Sequence, residues 1–267
     1  MLVLSAADLE HFADRGYVRV SGAFTPHQAE AMRAAVWDQL QHRGIRRDDP
    51  STWTVESPDH LQDLKQDPAF RAVGSGRTIG AIDQLLGTAG WRRPADWGAC
   101  FILFPTEREW TVSTNTWHAD HDYTELLDPP RELKVHTLFG DVEPRAGGMQ
   151  ILAGSHRVVA AFVRTHPPAP TKRAAQIRKA MMRSHPYLAG LERDGDPQER
   201  IRMYMERDEN VDGVPLRVVE LTGEAGDVVL IHPLVLHTRP TNAGRAPRFM
   251  LNKDLYGPAT TDGSAAP

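Results

Sequence analysis

The sequence has 267 residues, 40% of them hydrophobic and 25% charged, which is enough for one domain with a sizeable core and little more. The single cysteine, Cys100, excludes an internal disulfide and any cysteine-rich metal site, so a bound metal would need ligands from the 12 histidines and the carboxylates. A formal net charge of −4 gives no general attraction to nucleic acid and no run is apolar enough to span a membrane, so we expect a cytoplasmic protein whose partner is a small molecule.

The first third of the chain predicts helices. Ser5 is a typical helix cap, Gly16 is a typical helix end, and Pro26 suits the first turn of a second helix. The predicted segments are a helix from Ser5 to Gly16, a strand at 17–20, a helix from Thr25 to Gly44, an irregular stretch at 46–66 and a helix at 67–87.

From Trp97 onward, short β-rich runs are separated by Gly and Pro turns. This pattern favours a closed or double-sheet all-β body over a parallel α/β sheet. The runs are 98–104, 112–118, 132–139, 149–152, 216–221, 227–231 and 248–251.

A segment without a β pattern interrupts these runs. Residues 155–208 form a predicted helical insert within one domain at 1–256, and residues 257–267 are a predicted disordered tail. Its stretch 164–207 holds ten Lys/Arg against five Asp/Glu, an excess of five (10 − 5). A solvated helical face explains that excess, and a lid over an active site that attracts an anionic substrate is the alternative.

The segment His118-Ala-Asp120 carries the first candidate metal ligands. On a strand, alternate side chains share a face, so His118 and Asp120 could hold one ion together. His121 and Asp122 are the alternative pair, which would require a shift of register onto the opposite face.

The third predicted ligand is His237. An apolar strand at 227–231, a turn at His232-Pro233 and a second short strand would bring it back beside the first pair. Two His and one carboxylate occupy one face of an octahedron, as in mononuclear iron(II) oxygenases. His232 is the alternative ligand, although its place before Pro233 is typical of a turn. Eleven positions after His237 (248 − 237), Arg248 offers a planar fork to a carboxylate, and a structural ion pair is its alternative role.

These motifs, in this order, resemble the phytanoyl-CoA dioxygenase family of 2-oxoglutarate oxygenases. The similarity runs from residues 12–20, through 140–149 and 152–157, to the Arg248 strand. The resemblance implies a mainly β fold with flanking helices, built on a double-stranded β-helix of the jelly-roll or cupin-like kind. It also implies iron(II), 2-oxoglutarate and O2, with ascorbate as an activator and succinate and CO2 as co-products.

The resemblance leaves the other contacts to 2-oxoglutarate open. Members of the family often place Ser or Thr two positions after the distal His, but here that position is Arg239 and the hydroxyl is on Thr238. Lys134 and Thr137 share a predicted strand near the site, although a spacing of three puts them on opposite faces. Thr238, Lys134 and Thr137 are therefore candidates beside Arg248.

The predicted reaction is hydroxylation of a C–H bond in a small molecule. Halogenases of this fold replace the carboxylate ligand with a small residue to admit chloride, and Asp120 fills that space. Desaturation, epoxidation and ring formation remain open, as does the substrate, for which an anionic molecule, a secondary metabolite, a lipid acid or an amino-acid derivative would fit. A cupin-like metalloenzyme that does not use 2-oxoglutarate is the alternative function. A catalytically silent binding module is a third, which the retained triad disfavours.

Overall fold

The computed structural model describes residues 2–58, 61–88, 90–120, 130–166 and 174–257. Its α-helices are α1 (Ala6–Arg15), α2 (Pro26–Gln41), α3 (Gly76–Leu86), α4 (Ser155–Thr165), α5 (Ala174–Arg183), α6 (Pro186–Leu191) and α7 (Pro197–Tyr204). Its strands are β1 (Tyr17–Val20), β2 (Ala99–Leu103), β3 (Glu132–Leu138), β4 (Gln150–Ala153), β5 (Glu209–Val211), β6 (Val214–Glu220), β7 (Val228–Ile231), β8 (His237–Thr238) and β9 (Arg248–Tyr256). Short 3-10 helices span Pro50–Thr52, Gln62–Gln66 and Pro68–Gly74.

Local capping chemistry explains where the first helices begin. The Ser5 hydroxyl accepts from the Asp8 N–H while the Asp8 carboxylate accepts from the Ser5 N–H, and Thr25 and Gln28 repeat this reciprocal pattern at α2. Both predicted helices are thereby confirmed. The third prediction, one helix at 67–87, is wrong in its first half, because Ser75 caps a new helix there and the residues before it form a 3-10 helix.

The strands form two antiparallel sheets. The larger has the order β1-β7-β3-β9-β2, and the smaller has the order β5-β6-β4-β8. In the larger sheet, Lys134 of β3 lies opposite Ile231 of β7 on one side and Asp254 of β9 on the other. In the smaller sheet, His237 of β8 lies opposite Ile151 of β4. The predicted fold class, mainly β with flanking helices and a jelly-roll core, is confirmed, although the two sheets of the described residues do not close into a barrel.

Three apolar layers hold the sheets and helices together. One lies between the sheets and includes Leu138, Ile151 and Met250. A second packs α2 and α3 on the outer face of the larger sheet. The third packs α4–α7 on the smaller sheet and includes Trp117, which is fully buried. The helices therefore cover both outer faces of the sheets. A site can lie between the sheets, next to the inner apolar layer.

The predicted helical insert at 155–208 contains α4–α7 in its described part. Residues 167–173 of the insert and residues 258–267 of the predicted tail lie outside the described residues. Within the part of the chain that the structure covers, no helix combines the length and the apolar character that crossing a membrane requires.

Gly16 ends α1 in the left-handed region and joins it to the end of β7. Its φ is +80°, and its carbonyl accepts the His232 N–H at 2.8 Å. A Cβ here would lie 2.5 Å from Val235 Cγ2 and 2.6 Å from His156 Nδ1. We expect Gly16→Ala to lower the free energy of unfolding by about 2–5 kcal/mol, since both the backbone conformation and the crowding are unfavourable.

Gly44→Ala is the matched control, because Gly44 has φ +79° but nothing within 4 Å of its added Cβ. It should lower the free energy of unfolding by only about 1–2 kcal/mol, from the left-handed backbone conformation alone. Urea unfolding followed by tryptophan fluorescence measures both. Equal losses in the two variants would show that the contacts at Gly16 do not matter.

Candidate metal centre

His118, Asp120 and His237 converge on one point between the two sheets. One ligand atom from each lies within 4.8 Å of the others. His118 Nε2 is 3.5 Å from Asp120 Oδ1, and His237 Nε2 is 3.3 Å from Asp120 Oδ2. Two imidazoles and one carboxylate in this arrangement match the donor set of a mononuclear iron(II) site.

The strand predicted at 112–118 is wrong, because this segment is irregular and only His118 forms an isolated bridge. The His118 N–H donates to the His237 carbonyl at 3.1 Å, and the His237 N–H donates back to the His118 carbonyl at 2.9 Å. The convergence of His118 and Asp120 therefore depends on this bridge to β8 rather than on the period of a continuous strand.

Each imidazole is oriented by a bond from the nitrogen that faces away from the centre. His118 Nδ1 lies 3.2 Å from the Thr116 carbonyl, and His237 Nδ1 lies 3.1 Å from the Val235 carbonyl. A carbonyl can only accept, so each Nδ1 carries a proton, and in the neutral ring Nε2 has the lone pair that a metal would take. Such outer contacts set both the tautomer and the ring direction of metal-binding histidines.

The charges around Asp120 favour its ionised form. Burial opposes that charge, but hydrogen bonds from His118 and His237 and the positive charge of Lys134 lower the pKa of Asp120 overall. Lys134 is buried and forms ion pairs with both Asp120 and Asp254. Sequence reasoning considered Lys134 for the co-substrate, whereas the structure places its amine on the carboxylate of the triad.

The alternative ligands are not part of this group. His232 is buried at the end of β7, where its Nδ1 accepts the Leu234 N–H at 3.2 Å and its ring packs 4.9 Å from that of His156. Among the described residues, the cluster that can hold a metal contains His237 and not His232. His121 and Asp122 lie outside the described residues.

A cavity of about 530 Å³ opens beside the triad and extends to Arg248. Arg248 is 4% exposed and donates from Nη1 to the Gly147 carbonyl at 2.7 Å, while its Nε has no hydrogen-bond partner among the described residues. Burial, and then the charge of Arg239, lower the pKa of Arg248 to about 10, so it stays charged at neutral pH. No ion pair to Arg248 occurs within the described ranges, so the alternative role of a structural ion pair lacks a partner there.

The remaining candidates divide between the two faces of their strands. Thr238 lines the cavity and is 1% exposed, and within the part of the chain that the structure describes its hydroxyl has no hydrogen-bond partner. Lys134 also lines the cavity, but Thr137 does not. Because Leu133 and Val135 share the Thr137 face of β3 and belong to the layer beneath α2 and α3, we remove Thr137 from the candidate contacts.

Sequence reasoning missed several cavity residues on β9. The predicted run ended at Leu251, whereas β9 continues to Tyr256 and every second residue from Arg248 lines the cavity. Beyond the predicted run, the cavity residues on this face are Asn252, Asp254 and Tyr256, and Met250 lies within the run. Counting every second residue from Arg248 gives these positions. The sequence does not show that the strand extends so far, because the residues after Leu251 are mostly polar.

The donors present fit both a divalent metal and a dicarboxylate. The triad supplies two imidazole Nε2 atoms and one carboxylate oxygen. Across the cavity, the Arg248 Nε and the Thr238 hydroxyl, which find no partner in the described ranges, offer buried hydrogen bonds that a bound anion would complete.

Comparisons with known proteins give a family and a fold. A sequence model of the family described as "Phytanoyl-CoA dioxygenase (PhyH)" matches residues 12–250. Among curated proteins, no sequence matches this chain.

Three solved structures illustrate the shared fold. AviO1 from Streptomyces viridochromogenes Tue57 is 16% identical, with 99% of this chain and 100% of that chain covered and a TM-score of 0.55. EctD from S. alaskensis, solved with 2-oxoglutarate and 5-hydroxyectoine, is 16% identical over 96% and 77% of the two chains, with a TM-score of 0.54. HygX from Streptomyces hygroscopicus, solved with nickel and 2-oxoglutarate, is 15% identical over 96% and 88%, with a TM-score of 0.52. At these identities the likeness concerns the fold alone.

Proposed function

This chain belongs to the phytanoyl-CoA dioxygenase family, and we propose from that premise that it is an iron(II)- and 2-oxoglutarate-dependent oxygenase acting on a small molecule. The proposed reaction is hydroxylation of a C–H bond, with release of succinate and CO2. Bound iron(II), together with 2-oxoglutarate and O2, would supply the oxidising power that such a bond requires.

One observation carries this proposal: a buried arginine without a carboxylate partner in the described residues shares a cavity with a His-Asp-His cluster. Burying a guanidinium without a carboxylate partner costs free energy, so such an arginine indicates that a bound ligand supplies the carboxylate. A dicarboxylate that reaches from the triad to Arg248 would supply it. Structures of EctD and HygX hold 2-oxoglutarate, which supports this ligand for a chain of the same fold.

The residues of the chain would divide the work between them. His118, Asp120 and His237 would hold the metal through two Nε2 atoms and a carboxylate oxygen. Lys134 would keep the Asp120 carboxylate ionised and in place, and Arg248 would bind the far carboxylate of the co-substrate with two parallel charge-assisted bonds. Apolar side chains lining the cavity, among them Phe101 and Met250, would keep water away from these charges.

Hydroxylation is proposed over other outcomes of the same chemistry. Solved structures of this fold include a carbocyclase and an epimerase that depend on α-ketoglutarate, so fold alone does not select the reaction. Asp120 occupies the position that a halogenase needs for chloride, which disfavours halogenation.

Succinate release tests the proposed function. The purified protein with iron(II), 2-oxoglutarate and O2 should form succinate, and a substrate found by profiling should gain one oxygen atom, detected by mass. His237→Ala is the matched control and should form none, because it lacks one ligand. Metal-dependent turnover without 2-oxoglutarate would instead establish the cupin-like alternative, and loss of two hydrogens from the product would replace hydroxylation with desaturation or ring formation.

A further inference from the structure

We propose that Arg178 and Glu192 act together as positioning residues for His118, by taking the place of a neighbouring β-strand beside the metal-bearing segment. This inference rests on the proposed function, since it assigns His118 to a bound metal. Both residues belong to the helical insert. Arg178 lies in α5, and Glu192 directly follows α6.

The contacts are made to the residue immediately before His118. The Glu192 carboxylate accepts the Trp117 N–H at 2.9 Å, and Arg178 Nη1 donates to the Trp117 carbonyl at 3.0 Å. The same Arg178 nitrogen lies 2.6 Å from Glu192 Oε1, so the two side chains form one unit. Their exposed fractions are 17% and 29%, which limits screening by solvent.

This pattern reproduces the hydrogen bonds of a strand. In an extended segment, backbone groups of successive residues point to opposite edges. Here the N–H and carbonyl of His118 both bond to His237 of β8, whereas those of Trp117 point to the other edge and bond to Glu192 and Arg178. Without this unit, Trp117 would present an unpaired edge, and His118 would be held from one side only.

The peptide group that joins Trp117 to His118 is hydrogen-bonded on both edges of the extended segment. Its carbonyl is bound by Arg178 and its N–H is bound by the His237 carbonyl, so its plane is set from both sides. The carbonyl of the residue before, Thr116, orients the His118 ring through Nδ1. A small rotation of this backbone would therefore move His118 Nε2 away from the other two ligands.

Other contacts tie the same segment to the insert. Arg200 Nε of α7 donates to the Val112 carbonyl at 3.2 Å, and the Thr111 hydroxyl donates to the Pro197 carbonyl at 3.1 Å. The indole of Trp117 is fully buried in the layer formed by α4–α7. The described part of the insert thus supports the metal-bearing segment, a role distinct from that of the predicted lid.

Cobalt(II) binding to the metal-free protein tests the inference without any turnover. Loss of an outer contact of a metal ligand typically weakens metal binding about 10- to 100-fold, and we expect a loss of this size in Arg178→Ala and Glu192→Ala. At saturating cobalt(II), their affinity for 2-oxoglutarate should match that of the parent. Glu192→Gln, which keeps an acceptor for the Trp117 N–H, and Arg178→Lys, which keeps one charged donor, should each recover part of the loss.

Arg33→Ala is the matched control. Arg33 of α2 also pairs with a glutamate, Glu30, and donates to a backbone carbonyl, that of Phe139, but it lies on the far side of the larger sheet. Arg33→Ala should leave cobalt(II) affinity unchanged. Its free energy of unfolding shows how much stability the protein loses when a comparable arginine is removed. Equal cobalt(II) affinities in the Arg33, Arg178 and Glu192 variants would overturn the inference. If the alanine variants fail to fold, the cobalt(II) affinities of Glu192→Gln and Arg178→Lys test the inference instead. Parental cobalt(II) affinity in both variants would reject the inference.

Hydrogen exchange of the metal-free protein separates this inference from the proposed function. Peptides covering 112–120 should exchange faster in Glu192→Ala than in the parent, because the Trp117 N–H has lost its acceptor. Unchanged exchange there would reject the positioning role whatever the metal does. A parent protein that binds no cobalt(II), yet shows this change in exchange, would instead reject the metal site and with it the proposed function.

Discussion

Replacing His118, Asp120 or His237 with alanine is expected to abolish 2-oxoglutarate turnover and to weaken iron binding strongly. Each variant keeps only two of the three protein ligands, so the metal is held less tightly and its geometry is lost. Loss of an outer-shell contact alone costs about 10- to 100-fold in metal affinity, so loss of a ligand should exceed that range. Titration of the metal-free protein with iron(II) under nitrogen, alongside succinate release, measures both effects.

His232→Ala is the control for the triad. His232 is a buried histidine that directly follows β7. Its ring accepts the Leu234 N–H, and it is not part of the metal cluster. Its replacement should leave iron affinity at the parental value even where stability falls. Iron binding that survives in His237→Ala and disappears in His232→Ala would show that the third ligand has been wrongly assigned.

Arg248→Ala is expected to weaken 2-oxoglutarate binding strongly while leaving iron affinity nearly unchanged. Removing one partner of a buried, hydrogen-bonded charge pair costs about 2–5 kcal/mol, or about 30- to several-thousand-fold in affinity. Arg248 belongs to this buried class, since it is 4% exposed and its Nε has no hydrogen-bond partner among the residues described. Calorimetric titration of the metal-loaded protein with 2-oxoglutarate in the absence of O2 gives the dissociation constant directly.

Two further variants sharpen this test. Arg248→Lys should recover part of the affinity, because an ammonium keeps the charge but cannot form two parallel bonds. Arg239→Ala removes the neighbouring exposed arginine and should have a much smaller effect, since solvent screens its charge. An Arg248→Ala protein that binds 2-oxoglutarate as tightly as the parent would remove the main support for a 2-oxoglutarate oxygenase.

Much of the fold was predictable because its signals are local. The reciprocal caps at Ser5 and Thr25 each lie within four residues, and both helices begin where the sequence indicates. Most of the short strands were also found, since apolar runs between Gly and Pro turns show directly in the sequence. Boundaries failed where a polar face hid the pattern, as in the second half of β9, and where the backbone departs from a regular strand, as at 112–118.

The sequence by itself determined the chemistry that is available: two imidazoles, one carboxylate and one arginine, in an order that matches a family of oxygenases. Residue type and order suffice for that, because they set which donors exist, whereas the bridge between His118 and His237 brings the donors together. Only the tertiary structure decided that Lys134 contacts Asp120, that Arg248 is buried without a carboxylate partner in the described residues, and that Arg178 and Glu192 replace a strand beside Trp117. Each of these depends on contacts between residues 14 to 147 positions apart, whose register is set by sheet pairing and helix packing rather than by any local pattern.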